Sequence, residues 1–131
     1  ISIAVDAMAG AVERPFNAGR SPITPAQVDA LVALTAKLAA KYNVPVTRER
    51  MLSHAEVQPT LGIRQRNKWD IMWLPGMPAT ENPVRVGDIL RKQVMERMKE
   101  VEKEEEKVNI KKVTPPKPSL LQRLFQLLNI R

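Results

Sequence analysis

The chain has no cysteine and only one histidine, His54. Disulfides, thiolate zinc sites, iron–sulfur clusters and cysteine nucleophiles are therefore excluded. The absence of cysteine fits either side of a membrane and leaves the compartment open. No apolar run approaches the ~18 residues that a membrane-spanning helix needs. The first ten residues, ISIAVDAMAG, lack a basic segment and do not read as a signal peptide. They also lack an initiator methionine, and a start on strand-like residues reads as part of something longer.

What is present is 131 residues, enough for one domain. The net charge of +7 is spread along the chain, with 9 basic and 6 acidic side chains up to Thr80 and 12 and 8 beyond it. Such a surface is drawn toward anionic polymers, whether cell-wall polymers, nucleic acid or lipid. A nucleic-acid partner is not expected, because the sequence has no recognition-helix motif, no zinc-finger spacing and no aromatic–basic platform.

Ile1, Ile3 and Val5 are apolar at period 2 and predict a strand over residues 1–5. Residues 12–22 contain Pro15, Gly19 and Pro22 and read as a loop. Thr24, Pro25 and Gln27 form an N-cap, a first-turn proline and a capping-box partner. They open a helix over residues 25–42 with an apolar stripe of Val28, Leu31, Val32, Leu34, Thr35 and Leu38. Pro45 ends it. Residues 47–50 can form one capped turn, residues 51–53 read as extended, and residues 58–68 as an irregular basic loop. A second helix is expected from Val86 to about Lys107, ending in a solvated Glu/Lys run. The domain organisation that follows is 1–80, a helical charged extension 81–113, a proline-rich linker 114–118, and a short amphipathic helix 119–131. That last helix can meet a membrane surface, or dock on protein.

The chemistry concentrates in residues 53–76, SHAEVQPTLGIRQRNKWDIMWLPG. Imidazole nitrogen and carboxylate oxygen are both good zinc ligands, so His54 and Asp70 are candidate metal ligands. Lys68 puts a fixed positive charge two residues before Asp70. A catalytic zinc normally takes three protein ligands and a water, and only two convincing ones are visible here.

Residues 1–77 resemble the C-terminal half of a zinc-dependent N-acetylmuramoyl-L-alanine amidase. This is the family shared by phage endolysins, bacterial wall-recycling amidases and animal peptidoglycan recognition proteins, with the phage and prophage types nearest. The strand over residues 1–6 followed by AMAGA, the helix start SPITPAQ and the segment 53–76 carry the resemblance. It implies an α/β fold: a mixed sheet flanked by helices, here followed by a helical tail. It implies zinc as cofactor, His54 and Asp70 as ligands, and Lys68 stabilising the oxyanion formed when the lactyl amide is attacked. Peptidoglycan is the implied partner, with Arg64, Arg66 and Trp69 as substrate contacts. The cell wall is the implied site of action. The family's first histidine ligand lies upstream of Ile1, so the chain is expected to be a truncated amidase missing its upstream half. The position of the family's usual glutamate or tyrosine base is taken by Ala4, with Asp6 the nearest acid. The alternative is a degenerate amidase fold that binds peptidoglycan without cutting it.

Each candidate has a plainer reading. Arg64 and Arg66 read equally as a solvated basic loop, Glu56 as half of an ion pair, and Trp69 and Trp73 as core packing. Missing strands would leave apolar helix faces uncovered, an aggregation hazard. Poor solubility is therefore predicted for this chain. Size-exclusion chromatography with a thermal melt checks it, and a cooperative transition from a monodisperse monomer would contradict it.

Overall fold

The structure, a computed structural model, describes residues 1–66 and 68–113. The chain divides into two compact units, Ile1–Glu100 and Val101–Arg131. Among the described residues, three helices make up the regular structure: α1 (Pro25–Tyr42), α2 (His54–Leu61) and α3 (Pro83–Val113). The described part of the second unit is the end of α3, a Glu/Lys-rich stretch that is exposed from residue 101 to 112. The linker expected at 114–118 and the amphipathic helix expected at 119–131 lie outside the described residues.

The expected α/β architecture with a mixed sheet is overturned. Among the described residues there is no sheet, only the isolated antiparallel bridges Ala9↔Ser21 and Val12↔Asn17. Period-2 alternation specifies a two-faced segment, but a sheet needs a second strand to satisfy the backbone. Residues 1–6 find no such strand. Their alternation survives only as burial, with Ile3, Val5 and Ala7 half-buried and Ala4 and Asp6 exposed. Residues 69–74 fold as a turn, with the Met72 N–H donating to Trp69 O at 3.1 Å. Their apolar side chains Ile71, Trp73 and Leu74 join the core without a ladder.

α1 matches its sequence signals closely. Thr24 Oγ1 accepts the Gln27 N–H at 3.2 Å, Gln27 Oε1 accepts the Thr24 N–H at 2.9 Å, and Pro25 opens the helix. Asn43 ends it in the left-handed region at φ 51°, and the Val44 N–H reaches back to Ala39 O at 2.9 Å. The tightly packed seam is narrower than the sequence stripe. Val28, Val32, Ala36 and Ala39 are buried, while Leu34 is exposed.

α3 starts earlier and ends later than the sequence suggests. Asn82 Oδ1 accepts the N–H groups of Val84 at 3.0 Å and Arg85 at 3.4 Å, so the cap precedes Pro83. Val86, Leu90 and Val94 form one stripe at helical spacing. They cluster with Val28, Val32 and Ala36 of α1 and with Ile23 and Leu74. Burying a Val or Leu side chain is worth ~1.5–3 kcal/mol each, so this seam supplies most of what holds the two long helices together.

The other face of α1 has no such cover. Leu31, Thr35 and Leu38 line an open groove of about 760 Å³, together with Ile3, Val46 and Met51. Gly19 shows the opposite extreme, close approach. It sits at φ 76°, and a Cβ there would lie 2.4 Å from Ala9 O, so the turn beside the Ala9↔Ser21 bridge requires glycine.

Gly87 is the tight point between α3 and α2. A Cβ at Gly87 would meet the Glu56 carboxylate at 2.1 Å. In an exposed helix Gly→Ala gains ~1 kcal/mol, but here overpacking costs ~1–3 kcal/mol and would displace a buried, doubly bonded carboxylate. Gly87→Ala is therefore expected to be net destabilising, read as a lower urea midpoint at unchanged slope.

Candidate metal centre

The site is built on the N-terminus of α2. Ser53 is its N-cap residue, and His54 is the first helical residue. The Ser53 N–H donates to Glu56 Oε2 at 2.8 Å, which satisfies one of the free donors of the first turn. The Ser53 hydroxyl is buried and has no partner among the described residues. Gly62 closes the helix in the left-handed region at φ 70°, its N–H donating to Gln58 O at 3.0 Å. The segment expected as an irregular loop from residue 58 thus begins as helix, and Pro59 is carried inside it.

This start sets His54 against Asp70. His54 Nδ1 lies 2.8 Å from Asp70 Oδ2. The Ala55 N–H also donates to Asp70 O at 3.3 Å, so backbone and side chain both tie the two segments. In the tautomer that carries its proton on Nδ1, the ring donates to this carboxylate. The pair is open to solvent, with side chains 56% and 57% exposed. As an exposed ion pair it is worth little to stability, ~0–1 kcal/mol. Its interest is chemical. Donors held 2.0–2.2 Å from one tetrahedral zinc stand roughly 3.4 Å apart. The pair fits two positions of such a site once the atoms part by about half an ångström. No group of three or more His, Cys, Asp or Glu side chains placed to hold a metal occurs among the described residues.

Both residues lie on the wall of the large apolar groove, beside Trp69. Lys68 is exposed and lines a second depression of about 490 Å³, with Glu13, Gln58 and Gln65. Trp69 borders both depressions. Arg64 and Arg66 are exposed on the segment after α2. Asp6 is exposed, and its backbone carbonyl accepts from Gln27 Nε2 at 3.1 Å. Trp73 packs against Phe16 with ring centroids 5.3 Å apart and donates from Nε1 to Met77 O at 2.7 Å. It serves the core.

Behind His54 is a buried ionic cluster that sequence reasoning reached only at one end, as a pairing of Glu56. Arg91 of α3 donates from Nη2 to Glu56 Oε1 at 2.7 Å and from Nη1 to Met51 O at 2.7 Å. Nη2 also lies within hydrogen-bond reach of Val84 O and Asp88 Oδ1. The Arg91 and Glu56 side chains are 5% and 1% exposed. Asp88 is in turn bound by Arg48 at 2.7 Å. Burial alone would lower the Arg91 pKa, but hydrogen bonds to Glu56 and Asp88 outweigh it and the net direction is upward. The Arg48 hydrogen bond, then that of Arg91, holds Asp88 at about 2. The available signal was spacing: Arg91 continues the buried stripe of Val86, Gly87, Leu90 and Val94, where a charge requires a partner.

No protein-family model, curated protein or solved structure matches this chain. No helix among the described residues is long and apolar enough to cross a membrane.

Asp88 has a folded pKa of about 2 against an ordinary 3.8. Its stabilising contribution is full above about pH 4 and is lost as pH falls through about 2. The carboxylate is 39% exposed, so screening holds the effect to ~1 kcal/mol or less. Urea melts between pH 4.5 and 2.5 should show a steeper loss for the native chain than for Asp88→Asn.

Proposed function

We propose that this chain carries the metal-binding part of a zinc-dependent N-acetylmuramoyl-L-alanine amidase. Such an enzyme hydrolyses the amide between N-acetylmuramic acid and the L-alanine of the peptidoglycan stem peptide. The observation that supports this best is the 2.8 Å approach of His54 Nδ1 to Asp70 Oδ2 on the wall of an open groove. The motif resemblance over residues 53–76 supports it independently.

In this reading His54 and Asp70 hold zinc. The ion would supply a water of pKa ~7 and a polarised amide carbonyl. Lys68 provides a fixed positive charge for the oxyanion, a role worth ~2.7–4 kcal/mol for a well-placed donor. Arg64, Arg66 and Trp69 engage the stem peptide and sugar. The third protein ligand would be the family's first histidine, which residues 1–131 do not supply. The work is done at the cell wall.

A second reading has its own support. Only two ligand-type side chains converge among the described residues, which favours a module that binds peptidoglycan without cutting it.

Zinc titration by calorimetry on this chain and on His54→Ala, with muropeptide release assayed in parallel, separates the two. The amidase reading expects zinc binding that His54→Ala reduces at least tenfold, with release of wall peptides once the partner half is supplied. Retention on purified peptidoglycan, with no zinc-dependent release in the presence of that half, would establish the binding module instead.

A further inference from the structure

We propose, on the reading that His54 and Asp70 are the metal pair, that Arg91 is the positioning residue of the site, acting through Glu56. Arg91 touches neither His54 nor Asp70. It fixes the turn that presents them.

The chain of contacts is short. Glu56 uses both carboxylate oxygens: Oε1 accepts Arg91 Nη2 at 2.7 Å, and Oε2 accepts the Ser53 N–H at 2.8 Å. Ser53 directly precedes His54, so the same carboxylate that caps α2 is clamped to α3. The Ala55 N–H, in the same turn, donates to Asp70 O at 3.3 Å. One buried guanidinium–carboxylate pair thereby sets His54 and the Asp70 backbone in a common frame.

Three further features show that the clamp is closely built. Arg91 also donates to Met51 O at 2.7 Å, two residues before the cap, so it grips the chain on both sides of Ser53. Gly87 lets the α3 backbone approach the Glu56 carboxylate, where any Cβ would collide with it. Asp88 holds the guanidinium from the far side and is itself held by Arg48. A fork with five donors can serve Glu56, Met51 O and Asp88 together, and an ammonium cannot. The metal pair itself is more than half exposed. Little packing fixes it directly, so its geometry is inherited from the buried clamp.

His54 is the only imidazole in the chain, so its ring nitrogens can be followed by ¹⁵N NMR without assignment ambiguity. The first sample is the native, metal-free chain, at a pH well above the imidazole's own. The ring should carry its proton mainly on Nδ1, donated to Asp70. The second is the double variant Glu56→Gln with Arg91→Met. It keeps an acceptor for the Ser53 N–H and leaves no unpaired buried charge, a replacement that buried ion pairs commonly tolerate. The expected result is a folded protein in which the Nδ1–H to Nε2–H ratio falls at least threefold. Zinc affinity, titrated with the metal alone, should weaken about tenfold, as for other supports of ligand geometry. Should the double variant fail to fold, Arg91→Lys decides, because it keeps the charge and loses the fork; the same ratio is expected to fall.

A native ring protonated on Nε2, or a folded variant whose tautomer ratio stays within twofold of native, overturns the proposal. If the tautomer responds while the native chain binds no zinc, the positioning role stands and the metal reading falls. If zinc binds and the tautomer ignores Arg91, the metal reading stands and the positioning role falls.

Discussion

The contact between Arg91 and Glu56 is the constraint on which the arrangement depends. It joins a long helix, α3, to a helix of only two turns that packing alone would hold weakly. Short helices are marginal in water, and α2 buries only Ala55 and Glu56. The energetics are asymmetric. A buried pair contributes little net stability over apolar residues of the same size, yet removing one partner leaves an uncompensated charge at a cost of ~3–5 kcal/mol. Such a pair is better understood as a register pin than as a source of stability. Here the register it pins is that of the first turn of α2, which carries His54.

A second constraint comes from what the helices leave uncovered. α1 presents two faces. One packs Val28, Val32 and Ala36 against α3, and the other turns Leu31, Thr35 and Leu38 toward an open groove. Apolar side chains scattered singly on a surface need no explanation, but a contiguous apolar concavity does. Within this unit, residues 1–7 are laid along that concavity and cover part of it, with Val5 and Ala7 reaching the core.

The parts of the structure legible in the sequence are those where local signals decide. The α1 bounds followed from Thr24, Pro25, Gln27 and the residue before Pro45, because a cap, a proline and a capping box act over a few residues. The sheet was misread because strand formation is a pairwise property. Ile1, Ile3 and Val5 alternate, but only Ile3 and Val5 are half-buried, and the pattern says nothing about whether a partner strand exists. α2 was not seen. Its capping residues Ser53 and Glu56 are in the sequence, but Pro59 argued for a loop. Pro59 sits inside this eight-residue helix and forgoes the backbone bond to Ala55 O, so the helix forms in spite of it, through its caps and the Glu56–Arg91 contact. Of the site, His54 and Asp70 were readable as a pair because a motif joins them over sixteen residues. Arg91 was not, because its partner lies 35 residues earlier and only the folded chain brings them together.

Two open features of the described residues lie side by side. Catalysis by a bound cation needs a third protein donor and exclusion of bulk water, because electrostatic stabilisation is strong only in a site of low dielectric. His54 and Asp70 lack both: two donors converge, and both side chains stand open to solvent. The groove is covered only in part, by residues 1–7, and its wall includes His54, Trp69 and Asp70 themselves. A segment seated in the groove and bearing one imidazole would remedy both deficits. It would bury Leu31, Leu38 and Met51, lower the dielectric around the pair and complete the donor set. Apolar burial would then drive that docking, while Glu56 and Arg91 hold the turn that carries His54.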